Sequence, residues 1–107
     1  MKIKFSEGEV NLYRFLQRKA GYHSHPASGG ETSYIKSVSR GDYPRFHLYP
    51  KEKDGFQILS LHLDMKKPSY EGSHAHNAEY ESERVKKEAR RLKSLLASKG
   101  INASIKT

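Results

Sequence analysis

Within the segment 56–65, apolar and polar side chains alternate strictly from Leu59 to Met65, and this alternation constrains the fold more than any other feature of the chain. One side of an extended strand would carry Leu59, Leu61, Leu63 and Met65, and the other Ile58, Ser60, His62 and Asp64. Successive side chains of a strand point to opposite faces of a sheet, so the two sets need different surroundings. The sequence therefore predicts an antiparallel sheet with a covered leucine face and an open, more polar face.

Two earlier segments are predicted to complete an antiparallel meander. Residues 34–40 and 43–49 flank Gly41-Asp42, whose length and composition suit a tight hairpin turn. Residues 50–55, ending in Asp54-Gly55, then lead into the strand 56–65. The first turn sets a register in which the open face carries the opposite pairs Tyr34 and Tyr49, Lys36 and His47, and Val38 and Arg45. Ile35, Phe46 and Leu48 would then face the core.

Two helices are predicted beside the strands. Ser6 and Glu9 have the spacing of a capping box, which predicts a helix over 7–19. Apolar residues recur at three- and four-residue intervals over 78–98, which predicts a second helix with Asn77 as its N-cap. Alternation over 101–105 suggests a short edge strand. We therefore expect an α+β fold, in which two helices pack on one face of a three- or four-stranded antiparallel sheet.

Length and composition narrow the classes of protein. The 107 residues predict one domain, 1–107, too small for separate cofactor and substrate domains. The chain has no cysteine, which excludes disulfides and thiolate chemistry and fits a reducing compartment. It has no apolar run of roughly 20 residues and no secretory signal at Met1, so we expect a soluble, cytoplasmic protein without a membrane partner.

The open face is the candidate nucleic-acid-binding surface. The chain has 20 Lys and Arg against 12 Asp and Glu, a formal net charge of +8 that attracts polyanions. Aromatic side chains on a sheet can stack on unpaired bases while cations contact phosphates. The candidate residues are Tyr34, Lys36, Arg45, His47 and Tyr49, together with Lys66 and Lys67 in the following loop. RNA or single-stranded nucleic-acid binding is the function that we favour from the sequence.

A cluster of histidines and carboxylates supports a different interpretation. The candidate metal ligands are His62, Asp64, His74, His76 and Glu79. Imidazole and carboxylate together suit a divalent metal such as zinc or manganese, and a metal-bound water could attack a phosphodiester. The alternative function is therefore a metal-dependent hydrolase or nuclease. The spacing of these residues matches no metal-binding signature, and no catalytic residue is assigned.

Two further interpretations stay open. Without metal, His74 and His76 beside a helix N-terminus could bind phosphate and act as general acid and base. With no catalysis at all, the same histidines would organise a loop, and the domain would serve a structural or protein-interaction role. A long loop over 21–33 carries a second pair, His23 and His25, which could form a lid. An uncovered strand edge could also pair two copies, so the oligomeric state stays open.

Overall fold

Most of the structure is β-sheet. The computed structural model describes residues 1–26, 30–66 and 78–107. Within these ranges the strands are β1 (Lys2–Ser6), β2 (His23–Pro26), β3 (Thr32–Ser37), β4 (Arg45–Lys53), β5 (Phe56–Asp64), β6 (Ala78–Glu79) and β7 (Ser104–Lys106). The helices are α1 (Leu12–Arg14), which continues into a π-helical segment Phe15–Lys19, and α2 (Glu83–Ala97).

The described strands form one antiparallel sheet rather than the predicted small meander. Its order is β2-β3-β4-β5-β1-β7, and β6 pairs with the end of β5. The prediction of a three- or four-stranded sheet with two helices packed on one face was therefore wrong, because the described part of the chain contributes seven strands and only short helices. None of the helices in the described ranges has the length and apolar character needed to cross a membrane.

The N-terminal segment forms a strand, β1, that was not predicted from the sequence. Ile3 and Phe5 are buried, and Ile3 lies opposite Leu59 of β5 on one side and Ile105 of β7 on the other. Ser6 pairs with Phe56 in the sheet instead of capping a helix. The helix predicted over 7–19 begins only at Leu12, where the Asn11 side chain accepts a hydrogen bond from the Arg14 amide at 3.1 Å. Residues 21–33, predicted to be a loop, supply β2 and the start of β3.

The register between β3 and β4 differs by one residue from the prediction. Residues 38–44 connect the two strands, so the turn is not the dipeptide Gly41-Asp42. Tyr34 lies opposite Leu48, Lys36 opposite Phe46, and Ile35 opposite His47. A shift of one residue moves every side chain of a strand to the other face. Tyr34 and Lys36 are therefore on the leucine side, and Ile35 is on the open side.

The core forms on the leucine face as the alternation of β5 predicted. Leu59, Leu61 and Leu63 are fully or almost fully buried together with Phe46 and Leu48 of β4. The same cluster includes Phe15 and Leu16 from the π-helical segment and Val85, Ala89, Leu92 and Leu96 from α2. These six helical residues keep water from the leucine face, and burial of their apolar area is the main favourable contribution to stability.

The second helix is shorter than predicted. It runs from Glu83 to Ala97, and the Ser82 hydroxyl accepts a hydrogen bond from the Val85 amide at 3.4 Å. Asn77, the predicted N-cap, lies outside the described residues. Gly100 has a φ of 80° and follows the helix end, where the Ile101 amide donates to the Leu96 carbonyl at 3.0 Å. A residue without Cβ is favoured at this left-handed position.

A buried polar network ties α2 to the segment after the π-helical turn. The Tyr22 hydroxyl donates to Glu88 Oε2 at 2.6 Å, and Arg91 donates to both Glu88 oxygens at 2.8 and 2.9 Å. Arg91 also donates to the Ala20 carbonyl at 2.7 Å. Burial, followed by the negative charge of Glu88, raises the pKa of Tyr22 far above its ordinary value. The hydroxyl therefore stays protonated as a donor.

Candidate functional site

The open face is the side of the sheet away from Leu59, Leu61 and Leu63. Arg45 lies opposite Asp64 on this face, and His47 lies opposite His62. Tyr49 lies opposite Ser60 in the same rows. The predicted position of Arg45, His47, Tyr49, His62 and Asp64 on one face is thus confirmed. This arrangement follows from the alternation of two long, directly paired strands.

His47, His62 and Asp64 form a compact group, here called the histidine–aspartate cluster. His62 Nε2 lies 2.7 Å from Asp64 Oδ1, and His47 Nδ1 lies 2.9 Å from Asp64 Oδ2. Arg45 Nε donates to the same Oδ2 at 3.3 Å. The side chains of His47, His62 and Asp64 are 8%, 13% and 17% exposed. One carboxylate thus stands at the centre of three groups that carry or can carry positive charge.

The protonation state of Asp64 follows from these partners. Burial of the carboxyl group alone raises its pKa, but hydrogen bonds from His47 and His62, with their charges, outweigh burial and hold the pKa of Asp64 well below its ordinary value. The carboxyl group is therefore ionised at neutral pH. It offers two oxygens to a proton or a cation on the open face.

A hydroxyl chain fixes the orientation of the His47 ring. His47 Nε2 lies 2.8 Å from Ser33 Oγ, and Ser33 Oγ donates to the His25 carbonyl at 2.9 Å. A carbonyl can only accept, so the one hydroxyl proton of Ser33 is used there and Nε2 must be the donor to Ser33. Nδ1 is then the nitrogen that faces Asp64. Tyr49 Oη lies 3.1 Å from this same Nδ1.

Aromatic rings form a row across the open face. The Tyr49 ring stacks on His47, with ring centroids 4.2 Å apart and planes at 28°. Tyr49 and His62 have centroids 5.4 Å apart at 19°, and Tyr80, just after β6, lies 5.3 Å from His62 at 38°. Tyr49 and Tyr80 are 37% and 47% exposed. The row therefore presents two tyrosine rings to solvent, while the rings of His47 and His62 beside them are largely covered.

The other end of the open face is rich in lysine. This lysine end consists of Lys2, Lys4, Lys51, Lys53 and Lys106. Lys2 and Lys106 lie directly opposite each other in β1 and β7, and Lys4 Nζ lies 4.2 Å above the Phe56 ring. A depression of about 390 Å³ lies here, bordered by four of the lysines and by Asp54 of the β4–β5 turn. The strands of the open face thus carry six cationic side chains, counting Arg45, and the carboxylate of Asp64.

The remaining predicted site residues fall elsewhere. Tyr34 is buried on the leucine side with its ring 6.4 Å from that of Tyr13, and Lys36 shares that side, so both are absent from the open face. Glu79 pairs with Arg84 at 3.3 Å, away from the histidine–aspartate cluster. Lys66 is exposed after β5. Lys67, His74 and His76 lie outside the described residues.

Several residues of the open face were not among the predicted ones. Ser33 and Tyr80 contact the histidines, and none of the five lysines of the lysine end was predicted to be part of the site. The alternation of lysines with Ile3 and Phe5 was a usable sign of a strand with one basic side. Ser33 and Tyr80 had no such sign, because their positions depend on the register of β3 and on a two-residue strand.

The histidine–aspartate cluster is compact enough to surround one ion. One ligand atom from each of its three residues lies within 4.8 Å of the others. Of the predicted metal ligands, His62 and Asp64 are in this group, and His47 joins them in place of Glu79. No protein-family model, curated protein or solved structure matches this chain. Its chemistry must therefore be argued from these contacts alone.

Proposed function

We propose that this protein binds single-stranded nucleic acid on the open face of its sheet. The observation that carries the proposal is the distribution of charge and exposed rings. Five lysines at one end continue into the row that contains Tyr49 and Tyr80. Phosphates of a bound strand would meet the lysines, and unpaired bases would stack on the tyrosines. The lack of cysteine fits a reducing compartment, so we place this activity in the cytoplasm.

The arrangement of the lysine end favours a polyanionic ligand, because it brings like charges together and so destabilises the sheet. Like charges directly opposite on neighbouring strands repel each other and destabilise a sheet. Lys2 and Lys106 are such a pair, and Lys4 and Lys53 border the same depression. A strand of phosphates would relieve this repulsion and release its own counterions. A merely solvated surface would gain nothing from this placement.

The exposed rings favour single strands over duplexes. Stacking on a side chain requires a base whose face is not covered by its neighbours, which is found in unpaired segments. Tyr49 is held at a fixed angle by His47 and His62, and Tyr80 by His62. Because these rings are already oriented, they lose little conformational entropy when a base stacks on them. The proposal therefore includes a preference for single-stranded RNA or DNA over the same sequence in a duplex.

The test is fluorescence anisotropy with labelled single-stranded RNA and DNA oligonucleotides and with matching duplexes, in a buffer that contains a chelator. Stacking on a protein ring is worth about 1–3 kcal/mol per base, so Tyr49→Ala and Tyr80→Ala should each weaken binding roughly 5- to 150-fold. The matched control is Tyr13→Ala, since Tyr13 is 53% exposed but contacts Tyr34 on the leucine side. Binding in this control should be unchanged.

Three results would contradict the proposal. Equal losses in Tyr13→Ala and in the two open-face variants would mean that the tyrosines act through stability or nonspecific attraction. Duplex binding as tight as single-strand binding would remove stacking from the explanation. If wild-type protein binds neither RNA nor DNA at low salt, the open face has a different partner.

A further inference from the structure

We propose that His47, His62 and Asp64 form a zinc-binding site on the open face. This inference stands independently of nucleic-acid binding. Two imidazole nitrogens and one carboxylate are a common zinc ligand set, and three protein ligands leave a position for water. The three side chains come from adjacent positions on β4 and β5, which fixes their spacing through the ladder of the sheet. Sites on paired strands hold their ligands more rigidly than sites on loops.

The hydrogen bonds of His47 direct its Nδ1 toward Asp64. Ser33 gives its proton to the His25 carbonyl, so His47 Nε2 is protonated. Nδ1 therefore faces Asp64 Oδ2 at 2.9 Å, and the Tyr49 hydroxyl lies 3.1 Å from the same nitrogen. A zinc ion between Nδ1 and the carboxylate would accept a lone pair from each of them.

The spacing of the ligand atoms suits zinc after a small expansion. Zinc bonds of about 2.1 Å with tetrahedral or right-angled geometry separate neighbouring ligand atoms by roughly 3.0–3.4 Å. The corresponding distances are 2.7 Å from His62 to Asp64 and 2.9 Å from His47 to Asp64. Side-chain movements that lengthen these two contacts by a few tenths of an ångström, and keep the two imidazole nitrogens within the 4.8 Å that encloses all three ligand atoms, would admit a zinc ion. Ser33 would hold His47 from behind, as outer hydrogen bonds do in many metal sites.

Arg45 lowers the negative charge that the site offers to a metal ion, and this charge affects which metal binds. Its guanidinium already neutralises part of the Asp64 charge at 3.3 Å. A site with one shared carboxylate offers little to Mg²⁺ or Ca²⁺, which need several oxygen ligands. Imidazole nitrogens bind Zn²⁺ without relying on anionic charge. We therefore expect zinc to bind and magnesium and calcium to compete weakly or not at all.

The experiment is calorimetric titration of the full, untagged chain with zinc, followed by Co²⁺ absorption spectra to report the ligand field. The variants are His47→Asn, His62→Asn and Asp64→Asn, each checked for folding by circular dichroism. The control is His23→Asn, because His23 is exposed on the edge strand β2. A second control, the double variant His74→Ala/His76→Ala, tests whether zinc binds to this histidine pair instead of the histidine–aspartate cluster.

The expected result is one zinc per chain, with unchanged affinity in both controls. Ser33→Ala removes an outer hydrogen bond and should lower zinc affinity about 10–100-fold. Each ligand variant should lower zinc affinity by more than roughly 100-fold, because it removes a direct bond to the metal. Wild-type protein that binds no zinc would overturn the proposal. So would folded His47→Asn and His62→Asn variants that bind as tightly as wild type, or loss of binding only in the His74 and His76 control. Because these titrations contain no nucleic acid, failure of the zinc site is distinguishable from failure of nucleic-acid binding.

Discussion

Removing two lysines from the lysine end should change the salt dependence of nucleic-acid binding by a calculable amount. Lys2 and Lys106 are the best targets, because both are exposed and lie opposite each other across β1 and β7. Their replacement by glutamine removes a repulsive pair, so the sheet should not be weakened. The double variant Lys2→Gln/Lys106→Gln therefore tests charge on the open face without a confounding loss of stability.

The magnitude follows from the number of lysines that can meet phosphates. Five lysines form the lysine end, and Arg45 is left out because Asp64 already pairs with it. For single strands, the logarithm of affinity falls with the logarithm of salt by about 0.7 per neutralised phosphate, which gives a slope of about −3.5 for wild type. The double variant should have a slope of about −2.1. Between 50 and 200 mM salt, binding should weaken about 100-fold in wild type and about 20-fold in the variant.

The assay is an anisotropy titration of labelled single-stranded oligonucleotide at four or more KCl concentrations. The charge-matched control is Lys87→Gln/Lys93→Gln, since both lysines are exposed on α2, whose buried residues face the leucine side. Its slope should equal that of wild type. A wild-type slope near zero, or equal reductions in the two double variants, would refute the assignment of phosphate contacts to the lysine end.

Three further predictions concern stability, measured by urea unfolding with chelator present. Tyr22→Phe should lower the free energy of unfolding by about 1.5–3 kcal/mol, because it removes a hydrogen bond to a charged, buried carboxylate. The difference from wild type should shrink above about pH 10. There Tyr22 ionises in the unfolded wild type but, with its raised pKa, stays protonated in the folded state, so the wild type loses stability. Asp64→Asn should destabilise at neutral pH but flatten the acid limb, because a carboxyl group with a lowered pKa contributes stability above about pH 4 and loses it as pH falls toward the folded pKa. Leu61→Ala should cost about 2–5 kcal/mol, and a loss below about 1 kcal/mol would contradict the placement of this side chain in the core.

The alternation of β5 was the part of the fold that the sequence could predict. Apolar and polar side chains alternate strictly from Leu59 to Asp64, which defines the two faces, and β4 pairs along the whole of β5 because Asp54-Gly55 forms a tight turn with positive φ at both residues. These two strands carry Arg45, His47, His62 and Asp64, so the centre of the site was predictable. The short strands β1 and β2 were not predicted, since four or five residues become a strand through pairing with other segments, whereas the alternation over 101–105 did indicate a strand near β7.

The register of β3 could not be predicted because it depends on a connection without a clear turn signal. Gly41-Asp42 has a suitable composition for a hairpin, but residues 38–44 form a longer connection closed by a hydrogen bond from the Val38 amide to the Pro44 carbonyl at 3.1 Å. One residue of difference removed Tyr34 and Lys36 from the open face and placed Ser33 beside His47. Compared with the prediction, the open face therefore has one tyrosine ring fewer, and it has in addition the Ser33 hydroxyl that orients His47.

The lysine end and the histidine–aspartate cluster are two parts of the open face that can be tested separately. Lys53 of the lysine end pairs with Phe56, which is six residues along β5 from His62 of the histidine–aspartate cluster, or roughly 20 Å at the rise of an extended strand. This separation exceeds the Debye length of about 8–10 Å at moderate salt, so charge changes at one end should barely affect the other. Lys53→Gln should reduce the magnitude of the salt slope by about 0.7 and leave zinc affinity unchanged, whereas His47→Asn should abolish zinc binding and leave the salt slope unchanged. If each variant changed both properties, the lysine end and the cluster would form a single site, and a ligand that spans the phosphate and metal positions would explain both.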